Sequence, residues 1–191
     1  DIRDRLASTK INVYVIETVE HPDQVRDLFI RLQSGTALSR QQIRDAWPGN
    51  VGPYVESLAG KLQKKPREEL FQLVDRRGTR VEDEDQRDRY VSDRQTCAQL
   101  LRLFLAREFD PYGAPSIGPN DLDSLYHEFT EFDPKGETAQ QFEATLGAAC
   151  RVIRRAVELS EKRKTKVKKL DLISLTLFLQ GMARNPSFKL S

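Results

Sequence analysis

Apolar positions recur along most of this chain at helical spacing, and one segment alone alternates like a strand. In residues 10–18, "KINVYVIET", Ile11, Val13 and Val15 share one face while Tyr14 and Ile16 share the other, and the β-branched and aromatic content predicts a strand. A lone strand is not stable, so its partner is expected in polypeptide outside this sequence or in the short flanks. From Pro22 the period changes. Val25, Leu28, Phe29 and Leu32 fall at i, i+3, i+4 and i+7, with Asp23, Arg26 and Asp27 off the stripe. Gly35 supplies a helix stop. Ser39 with Gln42 three residues on predicts a capping box, and Pro48 and Gly49 end that helix after Trp47.

The same period continues downstream. Val55, Leu58, Ala59 and Leu62 line a helix expected to stop near Pro66, and a short apolar segment of Leu70, Phe71, Leu73 and Val74 closes at Gly78. Ser92 or Asp93 is the expected cap of a helix carrying Cys97, Leu100, Leu101, Phe104 and Leu105. A proline- and glycine-rich loop over 110–120 leads to a helix capped by Asn120 with Leu122, Leu125, Tyr126 and Phe129 on its stripe. "DPKGE" breaks the chain again. The longest predicted helix, 138–160, aligns Phe142, Leu146, Ala149, Cys150, Ile153 and Val157, and "LDLISLTLFLQGM" forms the last. The stripes must meet in a shared core. The expected fold is therefore mainly α, one N-terminal strand followed by a multi-helix bundle, with residues 51–191 packed on residues 1–50 as one continuous domain.

Composition narrows the class. A chain of 191 residues buries roughly 70% of its unfolded surface, so no disulfide or metal is required. Cys97 and Cys150 read as reduced, partly buried side chains, which favours a reducing, cytoplasmic setting. His21 and His127 have no ligand-spaced partner, so no zinc site is assembled. The longest apolar run, 172–179, falls far short of the ~20 residues a membrane span needs, so no membrane partner is expected. The chain begins at Asp1 rather than at methionine, and is expected to be a piece of a longer protein.

The net charge of +2 is too small to argue for nucleic acid, but its distribution is uneven. Arg151, Arg154, Arg155, Lys162, Arg163, Lys164, Lys166, Lys168 and Lys169 crowd into 151–169 against Glu158 and Glu161. Such a run either neutralises phosphates or is a solvated helix end whose cations suit the helix dipole. The acidic cluster of Glu82, Asp83, Glu84, Asp85 and Asp88 reads as hydrated surface rather than a magnesium site. No elbow-type nucleophile, oriented histidine or Walker-type glycine loop is present, so no catalytic or metal residue is assigned. The junction at 31–40 stays open between a structural turn and an anion site. In the second case helix N–H groups beside Ser34, Gly35 and Thr36 act with Arg31 and Arg40.

"VRDLFIRLQSGTALSRQQIRDA", just after "INVYVIE", resembles the second half of the N-terminal domain of the bacterial GmrSD-type restriction family. The matching positions are Phe29, Arg31, Leu32, Gln33, Ser34, Gly35, Leu38, Ser39, Gln42 and Ala46. The junction is also similar to the box of ParB-like nucleotide-binding domains. The resemblance implies a defence protein with a ParB-like domain that binds a nucleoside triphosphate (GTP, ATP or CTP, with magnesium in the parent protein), joined to an HNH-type nuclease region. It makes residues 1–50 the downstream part of the nucleotide unit, with Arg31, Gln33, Ser34 and Gly35 on the nucleotide and the upstream half of the domain as partner, and Arg40, close by in sequence, is expected to join them. The Asp-Gly-Gln-Gln-Arg hallmark and the HNH histidines are not in this sequence, and Gln33 stands where asparagine is commoner. The fragment is thus expected to be inactive alone, its parent an NTP-dependent endonuclease, with Arg151, Arg154, Arg155, Lys162, Arg163, Lys164 and Lys166 facing DNA. The alternative expectation is a non-enzymatic helical interaction module that binds nucleic acid or an acidic protein partner.

Overall fold

The computed structural model describes residues 38–61, 64–73, 90–109, 116–159 and 167–184, together with Lys10, Val15, Gln24, Asp27, Leu28 and Arg31. In chain order the helices are α1 (Arg40–Asp45), α2 (Val51–Ala59), α3 (Leu70–Leu73), α4 (Val91–Phe109), α5 (Pro119–Glu128), α6 (Glu137–Leu159) and α7 (Lys169–Arg184). The protein is mainly helical, a multi-helix bundle. The expected strand over 10–18 lies outside the described residues, save for Lys10 and Val15, both exposed and neither in a strand. Gln24, Asp27, Leu28 and Arg31 are helical, in line with the stripe read there.

The bundle is organised around α4, which packs against α1, α2, α5 and α7. Its sequence pattern predicts one stripe, but Ala98 and Leu103 are buried along with Cys97, Leu100, Leu101, Phe104 and Leu105. A helix covered on several sides has no strongly amphipathic pattern. α6 is the opposite case. Ala139, Phe142, Leu146, Ala149, Cys150 and Ile153 form its one buried face, packed on α3 and α7. Phe142 sits where helices converge, its ring centroid 5.4 Å from Phe104 of α4 and 6.4 Å from Tyr54 of α2. Cys97 and Cys150 are free and buried, and burial pushes the Cys97 thiol up.

Several boundaries differ from expectation for local reasons. α2 stops at Ala59 rather than near Pro66, because Gly60 takes φ +88° and a tight bridge joins Lys61 to Lys64. A Cβ at Gly60 would lie 2.8 Å from the Pro66 nitrogen, so the turn demands glycine. Asn120 is inside α5. Pro119 opens that helix and Gly118 is its N-cap, where the Asp121 carboxylate accepts the Gly118 N–H at 3.0 Å. α4 begins at Val91, so Ser92 and Asp93 lie in its first turn instead of capping it. Gly49 takes φ +114° with Thr130 backbone 2.9 Å from where a Cβ would stand, and the Asn50 N–H donates to the Thr130 carbonyl at 3.2 Å. This pins the α1–α2 corner to the turn after α5.

Deleting the Phe142 ring removes packing against α2 and α4 at once. Phe142→Ala is expected to lower stability by about 3–5 kcal/mol in urea unfolding.

Candidate functional site

The Ser39–Gln42 box forms as its spacing predicts. The Gln42 N–H donates to Ser39 Oγ at 3.2 Å, and the Ser39 N–H donates to Gln42 Oε1 at 2.9 Å. Two donors at the start of α1 are therefore already satisfied. Arg40, its first residue, is exposed, and so is Arg31. Gln33, Ser34, Gly35 and Thr36 lie outside the described residues.

α1 turns a polar face to the bundle. Gln41 and Arg44 are its buried residues, and with Asp45 they occupy i, i+3 and i+4 of one face. Arg44, 1% exposed, donates from Nε to Asp123 Oδ1 at 2.7 Å and from Nη2 to the Pro119 carbonyl at 3.0 Å. Gln41 Nε2 donates to Asp45 Oδ1 and to Tyr126 Oη, both at 2.9 Å. Arg94 of α4, 3% exposed, places Nη2 2.7 Å from Asp45 Oδ2 and donates from Nη1 to the Gly60 carbonyl at 3.1 Å. A buried guanidinium needs acceptors on its donors. These two receive them from α1, α5 and the end of α2. Trp47, just past α1, stands edge-on to His127 of α5 with ring centroids 6.0 Å apart.

This network is not legible in the sequence as a site. Its members read as ordinary charged positions, and the pairs Arg44–Asp123 and Arg94–Asp45 bridge 79 and 49 residues of chain. The i, i+3, i+4 spacing of Gln41, Arg44 and Asp45, directly after a capping box, is the one local signal. Its carboxylates are committed to guanidinium groups, so the arrangement fixes geometry rather than supplying a nucleophile and base. Among the described residues no group of three or more His, Cys, Asp or Glu is placed to hold a metal ion. The acidic cluster over 82–88 and His21 fall outside those residues.

The basic region is partly in view. Arg151, Arg154 and Arg155 are exposed on α6. Arg154 pairs with Glu69 beside α3, and Arg155 Nη1 meets Glu158 Oε2 at 3.2 Å. Exposed pairs of this kind contribute little to stability and are open to competition by phosphate. Lys162, Arg163, Lys164 and Lys166 lie outside the described residues. Lys168 is exposed, while Lys169 is half-buried and departs from the solvated run, its ammonium donating to Ser92 Oγ at the start of α4. No described helix is long and apolar enough to cross a membrane.

No family profile, curated protein or solved structure matches this chain.

Two measurements check the geometry. Ser39→Ala is expected to cost about 1 kcal/mol in unfolding experiments, the usual worth of such a cap. Desolvation raises the Asp45 carboxyl above its ordinary value, against the lowering pull of Arg94 and Gln41. The folded protein thus takes this proton first on acidification. The Asp45 contribution is greatest below the unfolded value of ~3.9 and is lost as pH rises through the folded one. Stability of Asp45→Asn relative to wild type should therefore increase as pH rises from that value toward neutrality, followed by urea midpoints across pH.

Proposed function

We propose that this chain is part of a GmrSD-type bacterial DNA-defence protein, contributing one side of a nucleoside-triphosphate site and a basic surface that approaches DNA. The observation that carries this reading is the Ser39–Gln42 capping box, formed where the resemblance has Leu-Ser-x-x-Gln, with Arg40 turned to solvent at the head of α1. Because the box occupies the Ser39 and Gln42 amides, phosphate contact in this reading falls to the Arg31 and Arg40 guanidinium groups. They act with Gln33, Ser34 and Gly35, and with the upstream half of the domain. Arg151, Arg154 and Arg155 form the described part of the DNA-facing surface, continued by Lys162, Arg163, Lys164 and Lys166.

Calorimetric titration of GTP, ATP and CTP, each with magnesium, into protein carrying the upstream half tests the nucleotide site. Removing one charge-assisted hydrogen bond typically costs about 1.5–3 kcal/mol, so Arg31→Ala and Arg40→Ala should each weaken binding at least about tenfold. Unchanged affinity removes that residue from the site. For DNA, replacing Arg151, Arg154 and Arg155 by glutamine should flatten the plot of log K against log salt by up to about 0.9 for each phosphate no longer neutralised. An identical slope excludes this face as a phosphate reader.

A second reading, a non-enzymatic module for an acidic protein partner, is favoured by one feature. Val152 is 41% and Leu159 71% exposed on α6, the helix that carries the three arginines. A flat salt slope for DNA would favour it.

A further inference from the structure

We propose that α1 is a polar latch, a helix that releases from the bundle as a unit while the apolar core stays folded. This does not depend on the nucleotide reading. The buried residues of α1 are Gln41 and Arg44, and the helix is docked by hydrogen bonds and ion pairs to Asp123, Pro119, Tyr126 and Arg94. Release uncovers polar groups on both sides: Gln41, Arg44 and Asp45 on the helix, and Arg94, Asp123 and the Tyr126 hydroxyl on the bundle. Water can satisfy each of them, whereas an apolar seam would resist exposure.

Three further observations fit a unit that opens locally. A helix the length of α1 has little stability of its own, so its order depends on docking. The Asp123 end of the seam is open, with that side chain 38% exposed against 2% for Arg44, so water reaches the pair from one edge. Burial disfavours the Asp45 carboxylate more than Arg94 and Gln41 restore, so the docked pair is held under a desolvation cost. The far side of the corner is firm: the Asn50 side chain donates to the Phe132 carbonyl at 3.0 Å, and Gly49 packs against Thr130. The break over 46–49 is therefore where movement would stop. A latch there sets the position of Arg40, and of the chain leading into it, relative to α4 and α5.

Trp47 is the sole tryptophan and lies in the 46–49 break, against His127 and the edge of the apolar core, so its fluorescence follows the firm side of the hinge. The experiment follows Trp47 emission and far-UV circular dichroism through urea, with hydrogen–deuterium exchange of peptides from α1, α4 and α6, in wild type and Asp123→Asn. The expected result is that α1 exchanges faster than α4 and α6 at urea concentrations where Trp47 emission and helicity are still native. Asp123→Asn should speed exchange in α1 by about tenfold or more and leave α4 and α6 unchanged. Arg44→Met, which removes the guanidinium rather than its acceptor, should act the same way. Wild-type exchange in α1 no faster than in α4 and α6 would overturn the proposal, as would acceleration in the variants spread equally over all three helices. Loss of the whole fold in both variants would overturn it too, by showing that the seam cannot open separately from the core.

Discussion

Two guanidinium groups set the terms for the N-terminal end of this bundle. Arg44 and Arg94 lie almost wholly inside the protein, and a buried cation without matched acceptors is far costlier than one in water. Their acceptors come from segments distant in sequence: Asp123 and the Pro119 carbonyl at the start of α5, the Gly60 carbonyl after α2, and Asp45 on α1. Satisfying both arginines at once fixes four chain segments to within hydrogen-bond tolerance. Apolar burial alone does not impose that, since it is non-directional.

The remainder of the bundle rests on a different force. α4 is enclosed by apolar side chains along its middle, and the Phe104, Tyr54 and Phe142 rings knit it to α2 and α6. Polar groups enter this region with partners of their own, as where Gln180 of α7 donates to the Phe104 carbonyl at 3.0 Å. The molecule therefore has an apolar centre and a polar seam at one end, and the seam adjoins the segment on which the nucleotide proposal depends.

Much of this architecture is legible in the sequence, for a physical reason. Helical period and capping are local properties, so the Ser39 box and the long stripe of α6 can be read from neighbouring residues. The departures have equally physical causes. A single stripe understates α4 because periodicity shows that a helix is buried, not how many neighbours surround it. Asn120 has the chemistry of a cap, yet Pro119 before it opens the helix, and the stripe of α2 runs on past Gly60 because positive φ is invisible in a residue list. The candidate site is the least legible. Arg31 and Arg40 are exposed, while Gln33, Ser34 and Gly35 lie outside the described residues. The Arg44–Asp123 pairing depends on a contact across 79 residues that no local pattern encodes.

Whether α1 meets α4 through a directional charge pair or through incidental proximity is tested most directly by a double-mutant cycle on unfolding free energy. The cycle is built from Arg94→Met, Asp45→Asn and the double variant. The expected interaction energy is above about 1 kcal/mol, because each single change strands its partner in a buried site. Effects that add to within about 0.5 kcal/mol would contradict the directional pair.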